Sequence, residues 1–215
     1  MYNYLMDQDN QPSRQIGPEL RQRIINAVRA NQTADDLFDE SVVDFLGISR
    51  TEGRCIDIVD RLGRVTAGRL AAESGLTTGA VTALVDRMER AGYLMRTRDA
   101  GDRRKVVIEA TPLTRQFNDR LFGHLAIVLR PLFERFSDAQ IAAIIDYMEI
   151  GSYINRQRTA LLQEHLLGAG VPVERRLEEA ALFDEEANKL ATCIADQIRR
   201  GDTPHGFADP DNDDD

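Results

Sequence analysis

The stretch Leu76-Thr77-Thr78-Gly79-Ala80-Val81-Thr82-Ala83-Leu84-Val85-Asp86-Arg87-Met88-Glu89-Arg90-Ala91-Gly92-Tyr93 decides the fold. Helical spacing gathers Val81, Leu84, Val85 and Met88 on one side. It leaves Gly79, Thr82, Ala83, Asp86 and Arg90 outward, flanked by Thr78 and Arg87. Gly92 stops this helix, and a short helix over 67–74 precedes it across the turn Gly75-Leu76-Thr77. After it the period drops to two. Val106, Ile108 and Ala110 alternate with Lys105, Val107 and Glu109, which predicts a strand, with Tyr93 to Arg98 as its partner and 99–104 as the loop between them. Helix, tight turn, helix and hairpin is the order of a winged helix-turn-helix, so the expected fold is mainly α with a small β-hairpin wing.

Each part has a physical use on duplex DNA. Small residues at the start of the second helix let it sink into a major groove, threonine hydroxyls reach base edges or phosphates, and the helix N-terminus favours an anion. The loop Asp99-Ala100-Gly101-Asp102-Arg103-Arg104 offers one arginine to a minor groove, for which Arg103 is the choice, while Arg104 pairs with an Asp inside the wing. The candidate DNA-contacting set is Thr77, Thr78, Gly79, Thr82, Asp86, Arg87, Arg90, Arg96, Arg98, Arg103 and Arg104. Asp86 and Arg90, four residues apart, fit a solvated helix pair equally well.

Working outward, residues 1–17 read as a loose polar arm. Pro18 opens a helix to about Ala30 with Leu20, Ile24, Ile25 and Val28 as its stripe, and Thr33 with Asp36 caps a second helix ending near Leu46. Ser49 with Glu52 forms a capping box for a helix to Leu62, whose core face is Cys55, Val59 and Leu62. Thr111-Pro112 starts a long helix carrying Phe117, Leu121, Leu125, Val128 and Leu132 and kinked at Pro131. Ser137 with Gln140 opens another, carrying Ile141, Ile144, Ile145, Met148 and Ile154 towards Leu167, with Gly168-Ala169-Gly170 as its stop. Pro172 opens an amphipathic helix with Leu177, Phe183, Ala187, Leu190, Ile194 and Ile198. The apolar faces of 18–30 and 113–167 exceed what one small wing domain covers, which predicts a homodimer.

A net charge of −9 argues at first against nucleic acid. The last fifteen residues, however, hold six Asp and no Lys or Arg, and without them the charge is −3. Residues 87–105 hold seven basic side chains against three acids, a local balance of +4. The tail from Gly201, with Phe207 its single large apolar side chain, is expected to be disordered. Two roles stay open for it: competing with DNA for the basic wing, or keeping the protein soluble. No apolar run reaches the roughly 20 residues of a membrane span, and Met1 to Gln15 does not read as a secretory signal, so a cytoplasmic location without membrane is expected.

Cys55 and Cys193 lack the spacing of a zinc site or redox motif, and both read as buried structural thiols. His124, His165 and His205 have no partnered nucleophile, and no glycine-rich phosphate loop is evident. An enzyme, a cofactor and a bound metal are therefore not expected. The rival reading is a winged-helix protein-interaction module that never touches DNA.

Residues from about Ser49 to Thr111 resemble the MarR family of bacterial transcription regulators. The resemblance is carried by Leu70-Ala71, by Leu76-Thr77-Thr78, by Leu84 through Tyr93, and by the wing signature Asp99-Ala100-Gly101-Asp102-Arg103-Arg104 leading to Thr111. It implies a homodimer built from the N-terminal helix and the long helices after the wing, each wing domain reading one half of a near-palindromic operator; the expected role is a repressor, with activation left open. It also implies a small aromatic or anionic effector in a pocket between the dimer helices and the DNA-binding lobes. One departure is Ala83, where members often carry a larger polar or basic residue. The other is everything past about Leu167. The expected organisation is thus a flexible arm (1–17), N-terminal dimerisation helices (18–48), the winged helix-turn-helix domain (49–112), C-terminal dimerisation helices (113–167), an extra amphipathic helix (172–200) and an acidic tail (201–215).

Overall fold

Pro18 sits in the first turn of α1 (Pro18–Leu46), where its missing N–H costs nothing, and Gly47 ends the helix at φ 67°. This computed structural model describes residues 16–99 and 101–201. The expected tail beyond Gly201 and most of the expected arm lie outside the described residues. The expected break near Asn31 to Asp35 is absent, and α1 is one helix of 29 residues. The residues able to cap a new helix bond along the existing one instead. Thr33 Oγ1 donates to the Arg29 carbonyl at 3.0 Å and Asn31 Nδ2 to Asp35 at 2.7 Å.

The chain then runs through α2 (Arg50–Leu62), α3 (Ala67–Ser74), α4 (Thr78–Arg90), β1 (Leu94–Arg98), β2 (Val106–Ala110), α5 (Pro112–Phe122), α6 (Leu125–Phe133), α7 (Asp138–Glu164) and α8 (Val173–Arg199). The strands pair antiparallel, with Leu94 opposite Ala110 and Arg98 opposite Val106. Val65 adds a single bridge on the free side of β2, exchanging bonds of 3.1 and 2.7 Å with Ile108. The chain is mainly helical with one hairpin, as its periodicities predict. It forms two compact units, one ending at Gly123 and the other beginning at His124.

In the first unit, Cys55, Ile56, Ile58 and Val59 of α2 meet Leu70 and Ala71 of α3, the inner face of α4, and Leu94, Ile108 and Ala110 of the sheet. Cys55 is fully buried, and burial pushes its thiol above the ordinary cysteine range. The strand alternation needs one correction. Val107 is buried, whereas Val106, beside the hairpin loop, is exposed. Tyr93 ties this core to α1 through a 2.8 Å bond from its hydroxyl to the Leu46 carbonyl.

The long helix expected after Thr111 divides at Gly123 and His124, not at Pro131, which lies inside α6. A Cβ at Gly123 would sit 2.4 Å from the Asp119 carbonyl oxygen, so the chain tightens where a side chain would not fit. Pro131 removes a donor near the end of α6, which stops two residues later.

In the second unit the Ser137–Gln140 capping box opens α7, which ends at Glu164, three residues short of the expected Leu167. α7 and α8 pack on each other. Among the described residues of this unit Ile194 is the one that is buried. Cys193 is exposed, contrary to expectation, because the face of α8 that turns inward carries its neighbour Ile194.

Candidate nucleic-acid interface

α3 and α4 each start on a threonine cap, with a glycine turn between them. Thr66 Oγ1 accepts from Arg69 N at 3.1 Å, Gly75 turns the chain at φ 73°, and Thr77 Oγ1 accepts from Ala80 N at 3.3 Å. Val81, Leu84, Val85 and Met88 are all no more than 3% exposed, so the opposite face is fixed outward. Thr78, Gly79, Thr82, Ala83, Asp86, Arg87 and Arg90 are exposed. Thr82 spends its hydroxyl proton on the Thr78 carbonyl at 3.0 Å and keeps its lone pairs for an incoming donor. The first-turn amides of Thr78 and Gly79 have no acceptor within their own helix. A Cβ on Gly79 would meet nothing within 4 Å, so internal packing does not demand the glycine.

The wing loop is built on Asp99. Its Oδ1 accepts from the amides of Asp102 at 3.0 Å and Gly101 at 2.8 Å, and these bonds hold its carboxyl below the usual range. Arg64 braces the base of the wing. Its Nη2 donates to Thr97 Oγ1 at 3.2 Å and to the Arg98 carbonyl at 3.1 Å, and its Nη1 lies 3.7 Å from Asp99 Oδ2. Arg98 Nη1 bonds the Arg103 carbonyl at 3.3 Å. Arg104 lies 3.4 Å from Asp102 Oδ1 but its side chain is 94% exposed. Arg103 is exposed, and no described residue bonds its guanidinium.

Arg96 joins the wing to α4. Its Nη1 meets Asp86 Oδ1 at 2.7 Å and also Glu89, its backbone N–H donates to Glu89 Oε1 at 2.8 Å, and its Nη2 reaches the Thr82 carbonyl at 3.4 Å. Burial lowers the proton affinity of this guanidinium, but the bonds from Asp86 and Glu89 outweigh it. Asp86 therefore pairs with Arg96, while Arg90 bonds the Asp86 carbonyl at 3.1 Å. Arg87 faces α2, with Nε 3.1 Å from Glu52 Oε1. Glu52 also closes the capping box with Ser49, and those bonds overcome burial to hold its carboxyl low.

The candidate residues thus fall into two groups. Thr78, Gly79, Thr82, Arg90 and Arg103 present free polar groups to solvent, and Arg104, paired with Asp102 through Nε as expected, leaves the rest of its guanidinium exposed. Thr77, Asp86, Arg87, Arg96 and Arg98 are engaged in caps and bridges that set the shape of the surface. Arg64 escapes sequence reading because its partners stand 33 and 34 residues away. The glycine that ends α2 signals a turn there, not a brace.

Residues of α1, α2 and α5 line an open cavity of about 590 Å³. Its apolar floor includes Val43, Ile56 and Phe122, and its rim carries Asp36, Asp39, Asp57 and Asp60 against Arg50 and Arg54. Burial, countered by Arg61 and aided by Asp39 and Asp60, pushes the Asp57 carboxyl up. Among the described residues no group of three His, Cys, Asp or Glu is placed to hold a metal, and no helix is long and apolar enough to cross a membrane.

The family model described as the MarR family matches residues 48–106, which span α2 to the start of β2. The uncharacterized HTH-type transcriptional regulator YcgE of Bacillus subtilis (strain 168) is 39% identical over 130 residues, covering 60% of this chain and 84% of that protein. The chain belongs to the MarR family. It is a helix-turn-helix transcriptional regulator, and the names of its relatives are those of regulators, not enzymes. A second relative, the uncharacterized HTH-type transcriptional regulator YsmB of the same organism, is 33% identical over 81 residues, 38% of this chain and 56% of its own. Among solved structures, a MarR family protein from Bacillus stearothermophilus aligns at a TM-score of 0.46 with 20% identity, over 62% of this chain and 94% of that one.

Proposed function

We propose that this MarR-family chain binds double-stranded DNA sequence-specifically as a homodimer and represses transcription by occupying a near-palindromic operator in the cytoplasm. The observation that carries the proposal is the wing tip. Arg103 stands exposed at the end of a hairpin whose base is braced by Arg64 and whose first strand is clamped to α4 by Arg96. A braced hairpin presenting a free guanidinium beside a small, polar helix face suits phosphate and minor-groove contact. In this reading Thr78, Gly79 and Thr82 face the major groove, Arg90 meets backbone phosphate, and Arg103 and Arg104 enter or flank the minor groove. Thr77, Asp86, Arg87, Arg96 and Arg98 are positioning residues.

Dimerisation is supported by apolar side chains that the single chain leaves uncovered. Leu20, Ile24 and Ile25 of α1 are exposed in the first unit, and Ile127 and Val128 of α6 in the second. Effector control belongs to the same reading, and the cavity between α1, α2 and α5 is the place we assign to it. Its four aspartates against two arginines favour a cationic amphiphile, whereas the resemblance implies a small aromatic or anionic effector.

Selection of bound fragments from genomic DNA, followed by footprinting, tests the proposal. Half-sites about one helical turn apart and a dimeric mass in light scattering are expected. A folded monomer that retains no duplex leaves the rival protein-interaction reading, which the net charge of −9 favours.

A further inference from the structure

The junction of α7 and α8 holds a titratable cluster that DNA recognition does not use. His165 caps the C-terminus of α7, where unsatisfied carbonyls of the last turn favour a cation. Its side chain is 10% exposed. Nδ1 lies 2.9 Å from Glu179 Oε1 and Nε2 lies 3.4 Å from Glu186 Oε2. Phe183 meets the ring edge-on with centroids 5.8 Å apart. Glu179, Phe183 and Glu186 are spaced by four and three residues, so one face of α8 delivers both carboxylates and the ring between them.

A neutral imidazole carries one N–H and one lone pair. Between two carboxylates, that lone pair would face an anionic oxygen of the half-exposed Glu186. The doubly protonated ring faces both carboxylates with N–H groups. The charged groups around it come from both helices. On α7, Glu164 shares a hollow with Glu186 and Lys189. On α8, Arg175 Nη2 lies 4.0 Å from the second oxygen of Glu179, and Lys189 is held by Glu185 at 2.8 Å. In the connection, the Gly168 carbonyl accepts from Arg176 at 2.8 Å. The bond to Glu179 outweighs desolvation, with Glu186 adding to it, and keeps His165 charged to higher pH than a free histidine.

We propose that His165 is a proton-operated pin: charged, it holds the N-terminal half of α8 on the end of α7, and deprotonation loosens that half. The C-terminal half has an anchor independent of charge, the buried Ile194. Because the docked proton affinity is raised, docking is complete below the free-imidazole value near 6.5 and weakens as pH rises through the docked value. The pin does not depend on the DNA-binding reading.

The test uses the full chain. The His165 imidazole is titrated by NMR, with His165→Gln for assignment, and amide exchange of residues 174–187 and 190–199 is compared between about pH 6 and about pH 9. We expect a midpoint above 6.5. Protection over 174–187, corrected for intrinsic rates, should fall through the same pH by about tenfold per unit of measured shift, while 190–199 hold. Glu186→Gln, which alters a half-exposed carboxylate and keeps the ring, should lower the midpoint and shrink the fall. His165→Gln should abolish it. A midpoint at or below 6.5, equal loss over both segments, or a fall that persists in His165→Gln overturns the proposal.

Discussion

The helix-turn-helix lobe and the helices after Gly123 use apolar residues differently. In the lobe, α2, α3, α4 and the hairpin share one closed core, in which Cys55, Val59, Leu70, Val81 and Val85 lose all contact with water. The second unit is almost entirely helical, yet Ile194 is its one buried apolar residue among the described residues. Ile127, Leu177 and Leu166 stay 70% or more exposed. The lobe thus closes over its own apolar side chains, and the second unit carries apolar surface that the isolated chain leaves wet. An apolar stripe of helical period looks the same in sequence in both regions. What differs is whether neighbouring elements of the same chain close over it.

The largest effect expected from this contrast is at Leu70. Leu70→Ala should destabilise the protein by about 2–5 kcal/mol at every protein concentration, because the cavity opens inside a closed core. Ile127→Ala should cost little in a dilute monomer and lower Tm chiefly where the wild type dimerises. Denaturation at two concentrations checks both, and equal, concentration-independent losses would break the comparison.

Within the lobe, Gly53 marks where α2 rides on α1. A Cβ there would lie 2.4 Å from Val43 Cγ1. Gly53→Ala should cost about 1–3 kcal/mol, and adding Val43→Ala should recover part of it if steric contact is the cause. Urea denaturation of the single and double variants reads the coupling.

Arg96→Ala leaves Asp86 and Glu89 without their shared cation, and the partly exposed cluster should lose about 1–2 kcal/mol in a thermal melt. Exchange of the β1 amides should rise. Arg96→Lys should rescue little, because one ammonium cannot reproduce the forked contacts to two carboxylates and a carbonyl. Full rescue by lysine would reduce the clamp to simple charge.

The smallest effect is a pH dependence of the wing. The Asp99 carboxyl is held below its ordinary value, so the order it gives the loop is present above about pH 4 and is lost as pH falls through the lower folded value. Exchange at the Gly101 and Asp102 amides across that range reads it, and Asp99→Asn should loosen both amides at neutral pH.

Local rules were legible where local partners decide the outcome. The capping boxes Ser49–Glu52 and Ser137–Gln140 both form, Thr111 and Pro112 start α5, and the inner face of α4 is the one its spacing predicts. Thr33 shows the limit, since a cap-forming residue also bonds happily to its own helix four residues back. Asp86 was readable as paired, but its partner was not. Arg90 stands one turn along the same helix, whereas Arg96 reaches it only after the chain reverses through Gly92. Cys193 follows the same logic, because its periodicity could not distinguish the packed face of α8 from the strip beside it.

The most direct measurement of the central claim is the affinity of the full chain for its selected operator across a salt series, with and without Arg103→Ala. Wild-type binding should weaken steeply with salt. The substitution should cost about 1–3 kcal/mol and lower the log–log salt slope by about 1, with the far-UV spectrum and dimer mass unchanged. A correctly folded protein whose affinity and salt slope are the same in both forms would contradict the wing's assignment to DNA.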